Sequence, residues 1–498
     1  MSSLNRIISG TSAGLTRQFS LVIITIISMP IYLSFWSLNL YGAWILILTL
    51  VSILKTPLFA HQEYLGQEFL KLGKNNKKEI SKVLYGSLLV TFIYSLLLLF
   101  FVILLINLTN ILDFIKIDPS LINNVKLAII FYSLTELSNS VVSLLSRALY
   151  PFKYYPIISW LGLVGVIIIP LGQILGVMLG YELVGLSIIT FSVVNLINFF
   201  YIIYFQKCLK KEKILFIKYD FLKNLSHLKN SFYLVMGKLS VLFKEQGVRL
   251  ILAPMLGNIQ MVGYVAMRTA SNFMKQIFST FTNSIKIEFI DYINEKNEKH
   301  FLNTYLSVYF ILSLIIIPFA FFFQIIAPTI FEIWTRDKII FDPILFGSMT
   351  ISFLIMIFYN PATMIISGKN LYKKDLLISI FTSIIFILLL IFLLKTFSIR
   401  GAGYSLIILE IISCLLTFYF ANKWLRKEFI NFNLQIILFS LIDLVISSIF
   451  IYILITDMVN IKYIIFIFTT FKLIYGLLFL KLMPTTIKRK ILNLKKYF

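Results

Sequence analysis

The stretch KLGKNNKKEISKVLYGSLLVTFIYSLLLLFFVILLI, from Lys71 to Ile106, sets five lysines ahead of 24 residues that carry no charge. At 1.5 Å per residue those 24 residues form a helix longer than the ~30 Å hydrocarbon core of a bilayer. The same alternation recurs along the 498 residues, with basic bursts separating apolar runs of about 20 residues. Apolar residues make up 59% of the chain and charged residues 13%, too few to clothe a water-facing exterior. The formal charge of +23 is scattered between the apolar runs rather than gathered on one face with stacking aromatics, which argues against a nucleic-acid binder. The lipid bilayer is the solvent this composition fits.

Spans are expected at about 17–37, 41–60, 83–106, 122–146, 157–179, 183–206, 230–254, 258–284, 304–327, 343–366, 375–394, 401–421, 434–456 and 461–482. Charge asymmetry tests the count. With both termini inside, 31 of the 45 Lys and Arg fall in inner segments and 6 in outer loops, and omitting one span scrambles the pattern. The run Phe19 to Trp36 is long for a signal peptide and reads as a retained first helix. Cys208 and Cys414 are too isolated to suggest a disulfide or a redox role. The bacterial cytoplasmic membrane, with N- and C-termini on the cytoplasmic side, is the expected location.

An internal repeat appears at a spacing of about 220 residues. Glu68-Phe69-Leu70 matches Glu288-Phe289-Ile290, each opening a basic amphipathic stretch expected to lie on the inner membrane surface. Gly185-Leu186-Ser187-Ile188-Ile189 echoes Gly403-Tyr404-Ser405-Leu406-Ile407. The expected fold class is all-α: two parallel six-helix lobes plus two C-terminal helices. The expected domains are an N-terminal lobe at 1–206, a basic cytoplasmic connector at 207–229, a C-terminal lobe at 230–422, and the last two helices with a basic tail at 423–498.

Soluble catalytic signatures are absent, and Gly237-Lys238-Leu239-Ser240 lacks phosphate-loop spacing. His61, His227 and His300 fall in or beside inner loops without metal-ligand spacing. No catalytic residue, metal or cofactor is expected. Charges within the spans are more informative, because each is costly in hydrocarbon and usually faces a cavity or a partner. Lys238, Glu245 and Arg249 share a face of span seven, with Lys244 beside them, and Glu245 and Arg249 are spaced to pair at i, i+4. Span eight carries Arg268, Asn272, Lys275, Ser279, Thr282 and Lys286 on one stripe. From Lys238 to Lys275 five cations face one acid, which points to a wet cationic cavity over a set of interhelical ion pairs. Glu136, Asn139, Ser140, Ser143 and Arg147 form a stripe that either lines that cavity or bonds to neighbouring helices. Lys55 reads as snorkelling to headgroups. Glu410 stands mid-span as a coupling or neutral carboxyl, and Asp443 and Lys472 lie at matching depth as a structural ion pair. Gly172, Gly176 and Gly180 form a close-packing ridge, and Pro30, Pro170 and Pro318 mark kinks.

Tyr41-Gly42-Ala43-Trp44, Leu256-Gly257-Asn258 with Val262-Gly263-Tyr264 and Arg268, and Gly401-Ala402-Gly403 resemble the polysaccharide repeat-unit flippases (Wzx type) of the multidrug/oligosaccharidyl-lipid/polysaccharide (MOP) exporter superfamily. The six-plus-six-plus-two plan extends the resemblance over essentially the whole chain. It implies alternating access between two lobes, carrying an undecaprenyl-diphosphate-linked oligosaccharide of O-antigen, capsule or exopolysaccharide to the outer leaflet. In such relatives a cationic cavity receives the diphosphate, and Arg249, Arg268 and Lys275 are the positions carried over. Coupling to H+ or Na+ is implied, although the Lys244-Glu245 pair departs from the usual acidic position. Membrane lipids and polysaccharide-assembling polymerases and glycosyltransferases are the implied partners. A lipid II flippase and a drug/cation antiporter are alternatives within the superfamily. A membrane-embedded polymerase fits less well, for want of a sizeable outer loop.

Overall fold

The computed structural model of the chain describes residues 3–219, 221–273, 275, 298–368, 372–428, 435–456 and 458–482. Those residues are almost wholly helical. In chain order the long helices are α1 (Ser3–Phe35), α2 (Leu38–Leu72), α3 (Lys77–Leu108), α4 (Ile122–Ala148), α5 (Tyr155–Met178) and α6 (Leu183–Lys211). α7 joins Phe221–Leu242, a π-helical turn Phe243–Gly247 and Val248–Leu256, and α8 occupies residues 258–273. α9 joins Glu298–Ile311, a second π turn Leu312–Ile316 and Ile317–Thr335. Then come α10 (Pro343–Gly368), α11 (Tyr372–Phe397), α12 (Arg400–Glu428), α13 (Gln435–Ile455) and α14 (Ile461–Leu482).

Twelve of these helices, all but α7 and α8, are long and apolar enough to cross a membrane. Their outward faces are covered with large apolar side chains such as Phe100, Leu196, Phe200, Leu388 and Leu477. In water that surface would be a severe liability; in lipid it is the ordinary exterior. α7 and α8 carry Lys238, Lys244, Glu245, Arg249 and Arg268 in a short stretch, and their hydropathy is correspondingly low. Their place between α6 and α9 is what reveals them.

Helix ends follow local chemistry. Ser37 caps α2 by accepting the Leu40 amide at 3.2 Å, and Gly73, at φ 69°, ends the helix 35 residues later. Glu68-Phe69-Leu70 forms the last turn of α2, which runs on past Pro57 and Gly66, and Phe69 is fully buried. Its proposed counterpart at Glu288 lies outside the described residues. Phe69 joins Ile80, Leu84, Leu144, Leu149, Phe205 and Leu209 in a core that gathers the α2–α3 turn, the α4–α5 turn and the end of α6. Tyr154 donates to Glu212 at 3.1 Å in the same region, and burial together with that bond pushes its phenol up to about 12.

The chain divides into two compact units: 1–262 with 334–338, and 263–333 with 339–498. The boundary by packing differs from the boundary by repeat at 229/230, since α7 packs on α2 and α3 and so clusters with the first unit. Within the first unit α4 packs extensively on α6; within the second, α10 packs on α12, the same relation six helices later. The serines of the echoed pentapeptides are fully buried in both, Ser187 bonding back to the Leu183 carbonyl and Ser405 to that of Ala402. Close approaches demand glycine at several of the motifs. A Cβ at Gly176 would lie 2.7 Å from Ile189 across the α5–α6 contact, and one at Gly401 would lie 2.1 Å from the Leu393 carbonyl oxygen.

The prolines are accommodated individually. Pro30 has no N–H for the Ile26 carbonyl four residues earlier, and the Trp334 indole donates to that oxygen at 2.7 Å. Pro318 follows the second π turn, beside which the Ser313 carbonyl accepts Lys472 Nζ at 3.3 Å.

Candidate functional site

Polar side chains inside the first unit concentrate on the seam between α2 and α7. These helices run antiparallel, so contacts climb one as they descend the other. Gly42 admits Asn258 and Val262, whose side chains would stand 3.3 and 3.2 Å from a Cβ there. The Tyr41-Gly42 and Asn258–Val262 motifs are thus two halves of one contact. Asn258 also donates to the Lys116 carbonyl at 3.3 Å. Deeper along the seam, Arg249 donates to Thr49 Oγ1 at 3.2 Å. Lys238 pairs with Glu63 at 3.1 Å. Near the α2–α3 turn, His61 Nδ1 meets Ser231 Oγ at 3.0 Å, and Asn224 receives the Ser87 hydroxyl at 3.2 Å. A Cβ at Gly86 would sit 2.2 Å from the Asn224 amide, so a larger residue here would displace the Asn224 side chain.

The second polar group of this unit lies between α2, α4 and α6. Lys55 does not snorkel to headgroups; its ammonium stands 3.5 Å from Glu136 of α4. A carboxylate within reach in a low-dielectric setting outcompetes the interface. Asn139 donates to Glu136 at 3.3 Å and accepts from Asn198 of α6 at 2.8 Å, while Asn198 also reaches Ser138 at 2.9 Å. Lys55, Glu136, Ser95 and Ser133 edge a cavity of about 20 Å³, otherwise lined by aliphatic residues such as Leu58 and Val102. That is room for a single water. Arg147, 8% exposed, donates Nε to Ser143 at 3.2 Å and lies over the Phe59 ring at 5.2 Å. It thus packs on Phe59 and Gly66 of α2, about one turn to either side of Glu63, the partner of Lys238.

The remaining sequence-derived positions are dispersed. Lys244 and Glu245 fall in the π turn of α7, which shifts the helical register between Lys238 and Arg249; Glu245 is exposed. Such turns often mark functional positions. Arg268, Asn272 and Lys275 are half-buried and belong to the second unit; Ser279, Thr282 and Lys286 lie outside the described residues. Glu410 of α12 accepts the Tyr359 hydroxyl of α10 at 2.6 Å, a partner that local sequence did not suggest. Asp443 and Lys472 are joined at 2.6 Å.

Sequence reading missed Glu63, Thr49, Asn198 and Tyr359. Glu63 lies past residue 60, where hydropathy falls although the helix runs on to Leu72. Thr49, Asn198 and Tyr359 are ordinary polar residues in apolar helices, and nothing local distinguishes them.

No family model and no curated protein matches this sequence. Solved structures do. Lipid II flippase MurJ, in an inward-closed conformation, is similar over 97% of this chain and all of its own, with a TM-score of 0.64 at 16% identity. At that identity the likeness is one of fold. An inward-facing MATE-family multidrug transporter of the MOP superfamily matches 82% of this chain and 95% of its own at TM-score 0.55 and 12% identity. A Vibrio cholerae MATE transporter matches 85% and 97%, with TM-score 0.55 and 14% identity. This chain is a multi-pass membrane protein of MOP-like fold.

Proposed function

We propose that the chain is a flippase that moves an undecaprenyl-diphosphate-linked oligosaccharide, the repeat unit of O-antigen, capsule or exopolysaccharide, from the inner to the outer leaflet of a bacterial cytoplasmic membrane. The observation that carries this reading is the excess of cations set inside the spans, with Arg147, Lys238 and Arg249 in one unit and Arg268 and Lys275 in the other. A diphosphate cannot enter hydrocarbon with its charge uncompensated, and a basic interior compensates it while a polyprenyl chain stays in lipid. A cationic drug would want the opposite lining. The transport cycle is alternating access between the two six-helix lobes, with Asn272 among the polar residues meeting the cargo and Glu136, Glu245 or Glu410 carrying any coupling to H+ or Na+. No covalent chemistry is needed. Polymerases and glycosyltransferases of glycan assembly would be its working partners.

A lipid II cargo is the second reading, favoured by the full-length likeness to a lipid II flippase where the MATE transporters leave 15–18% of this chain unmatched. Reconstitution in proteoliposomes with defined lipid-linked sugars separates the two. Movement of the oligosaccharide lipid but not lipid II supports the first reading; the reverse supports the second; movement of neither rejects both. In cells, Arg249→Ala and Arg268→Ala should leave the lipid-linked units on the inner face with their synthesis intact. Failure of polymerisation alone, with units still reaching the outer face, would point to a polymerase instead.

A further inference from the structure

Three helices contribute to one charge cluster in the first unit. Glu63 comes from α2 and pairs with Lys238 of α7, and Arg147 of α4 lies against Phe59 and Gly66 on either side of Glu63. The two cations are held differently. Arg147 is 8% exposed and fixed by Ser143, the Phe59 face and the Gly66 backbone, where a Cβ would stand 3.4 Å from its Cδ. Lys238 is 41% exposed at its side chain, and Glu63 is 32% exposed. The acids packed around the neighbouring turns are engaged elsewhere: Glu68 bonds Lys71 at 2.7 Å and Glu212 receives Tyr154. Glu63 therefore stands as the carboxylate paired with Lys238 and about one turn from the α2 residues that hold Arg147, and the three charges sum to a positive one.

We propose that Glu63 is a displaceable counter-ion, an internal carboxylate that holds Lys238 in the empty carrier and gives way to a phosphate of the cargo. The inference rests on the proposed diphosphate cargo. The chemistry favours exchange. A lysine ammonium is a compact charge on a flexible stem, able to turn from a carboxylate to a phosphate without changing its bonding pattern. Arg147 stays in place and supplies a fixed positive field behind it. With no counter-ion, both cations would stand uncompensated when the carrier returned empty; Glu63 offsets the Lys238 charge, and the cargo is released by competition. An ion pair this exposed is weak, so a multiply charged ligand can break it.

The test uses the purified full-length protein in lipid nanodiscs, titrated with inorganic pyrophosphate as the probe. Glu63→Gln, which removes the competing charge and keeps the shape, should tighten pyrophosphate binding by roughly fivefold, the scale of one part-exposed ion pair. The gain should shrink as salt rises. It should vanish in a Lys238→Gln background, which shows that the competition is local rather than at Arg249 or Arg268. Glu63→Asp, with the carboxylate drawn back by one methylene, should tighten binding by a smaller factor and serves if Glu63→Gln does not fold. Unchanged or weaker binding in a folded Glu63 variant, with wild-type binding intact, overturns the counter-ion role and leaves the flippase reading standing. If neither wild type nor variant binds pyrophosphate while both bind a neutral or cationic solute, the diphosphate cargo itself is wrong and the inference falls with it.

Discussion

The α2–α7 seam of the first unit and the α13–α14 pair of the second both place charges inside a membrane protein, yet they treat them in opposite ways. Lys238 and Glu63 sit 3.1 Å apart with 41% and 32% of their side chains exposed. Asp443 and Lys472 sit 2.6 Å apart with Asp443 wholly buried and Lys472 10% exposed. Around the second pair the packing is closed: Lys472 lies within 5.6 to 5.8 Å of the Phe468, Phe471 and Tyr475 rings, Ser447 donates to Asp443 at 3.3 Å, and the Ser313 carbonyl takes a further ammonium proton. Distance alone would call both salt bridges. Exposure separates a pair that can exchange partners from one that fastens three helices together.

Breaking the buried pair gives the largest expected effect. Lys472→Met leaves Asp443 as an uncompensated buried charge and should cost about 3–5 kcal/mol, read as a large fall in the unfolding midpoint in detergent. The double variant with Asp443→Leu should recover most of that loss, because a buried pair replaced by apolar groups is often neutral. A double variant as unstable as the single one would contradict the explanation. Next comes Gly401→Ala, whose Cβ would lie 2.1 Å from a backbone oxygen rather than a movable side chain; overpacking of this kind costs about 1–3 kcal/mol.

Trp334→Phe sharpens the comparison at a neutral site. It keeps the ring but leaves the Ile26 carbonyl without its donor, at a cost of roughly 1–3 kcal/mol if water cannot replace it. In a Pro30→Ala background the restored backbone N–H serves that carbonyl, so the same substitution should be nearly silent. Equal costs in both backgrounds would mean that the tryptophan acts through packing alone. The smallest effect belongs to the exposed side of the contrast. Lys71→Ala removes an i,i+3 pair with 69% of the lysine exposed and should shift stability by less than about 1 kcal/mol.

Legibility in the sequence follows the same division. α3 and α11 are plain because a charge-free apolar run of about 20 residues or more has few other fates. α7 and α8 were legible only through order and charge alternation, since the polar residues that make them interesting also lower their hydropathy. Asp443 and Lys472 were matched by depth alone, which works when two consecutive helices must be antiparallel neighbours. Lys55 and Glu136 were both noticed and yet not joined, because they are 81 residues apart and helix adjacency was unknown. For Glu63 the obstacle was the end of α2. Hydropathy stops near residue 60, whereas the helix continues until Gly73 leaves it.

The sequence by itself determined that this chain lives in a membrane and where its long apolar helices run, because transfer energies act residue by residue. Tertiary structure decided which charges meet. Pairing depends on which helices lie side by side and on rotations of about 100° per residue, and no local property of Glu63, Thr49 or Tyr359 encodes the neighbour across the gap.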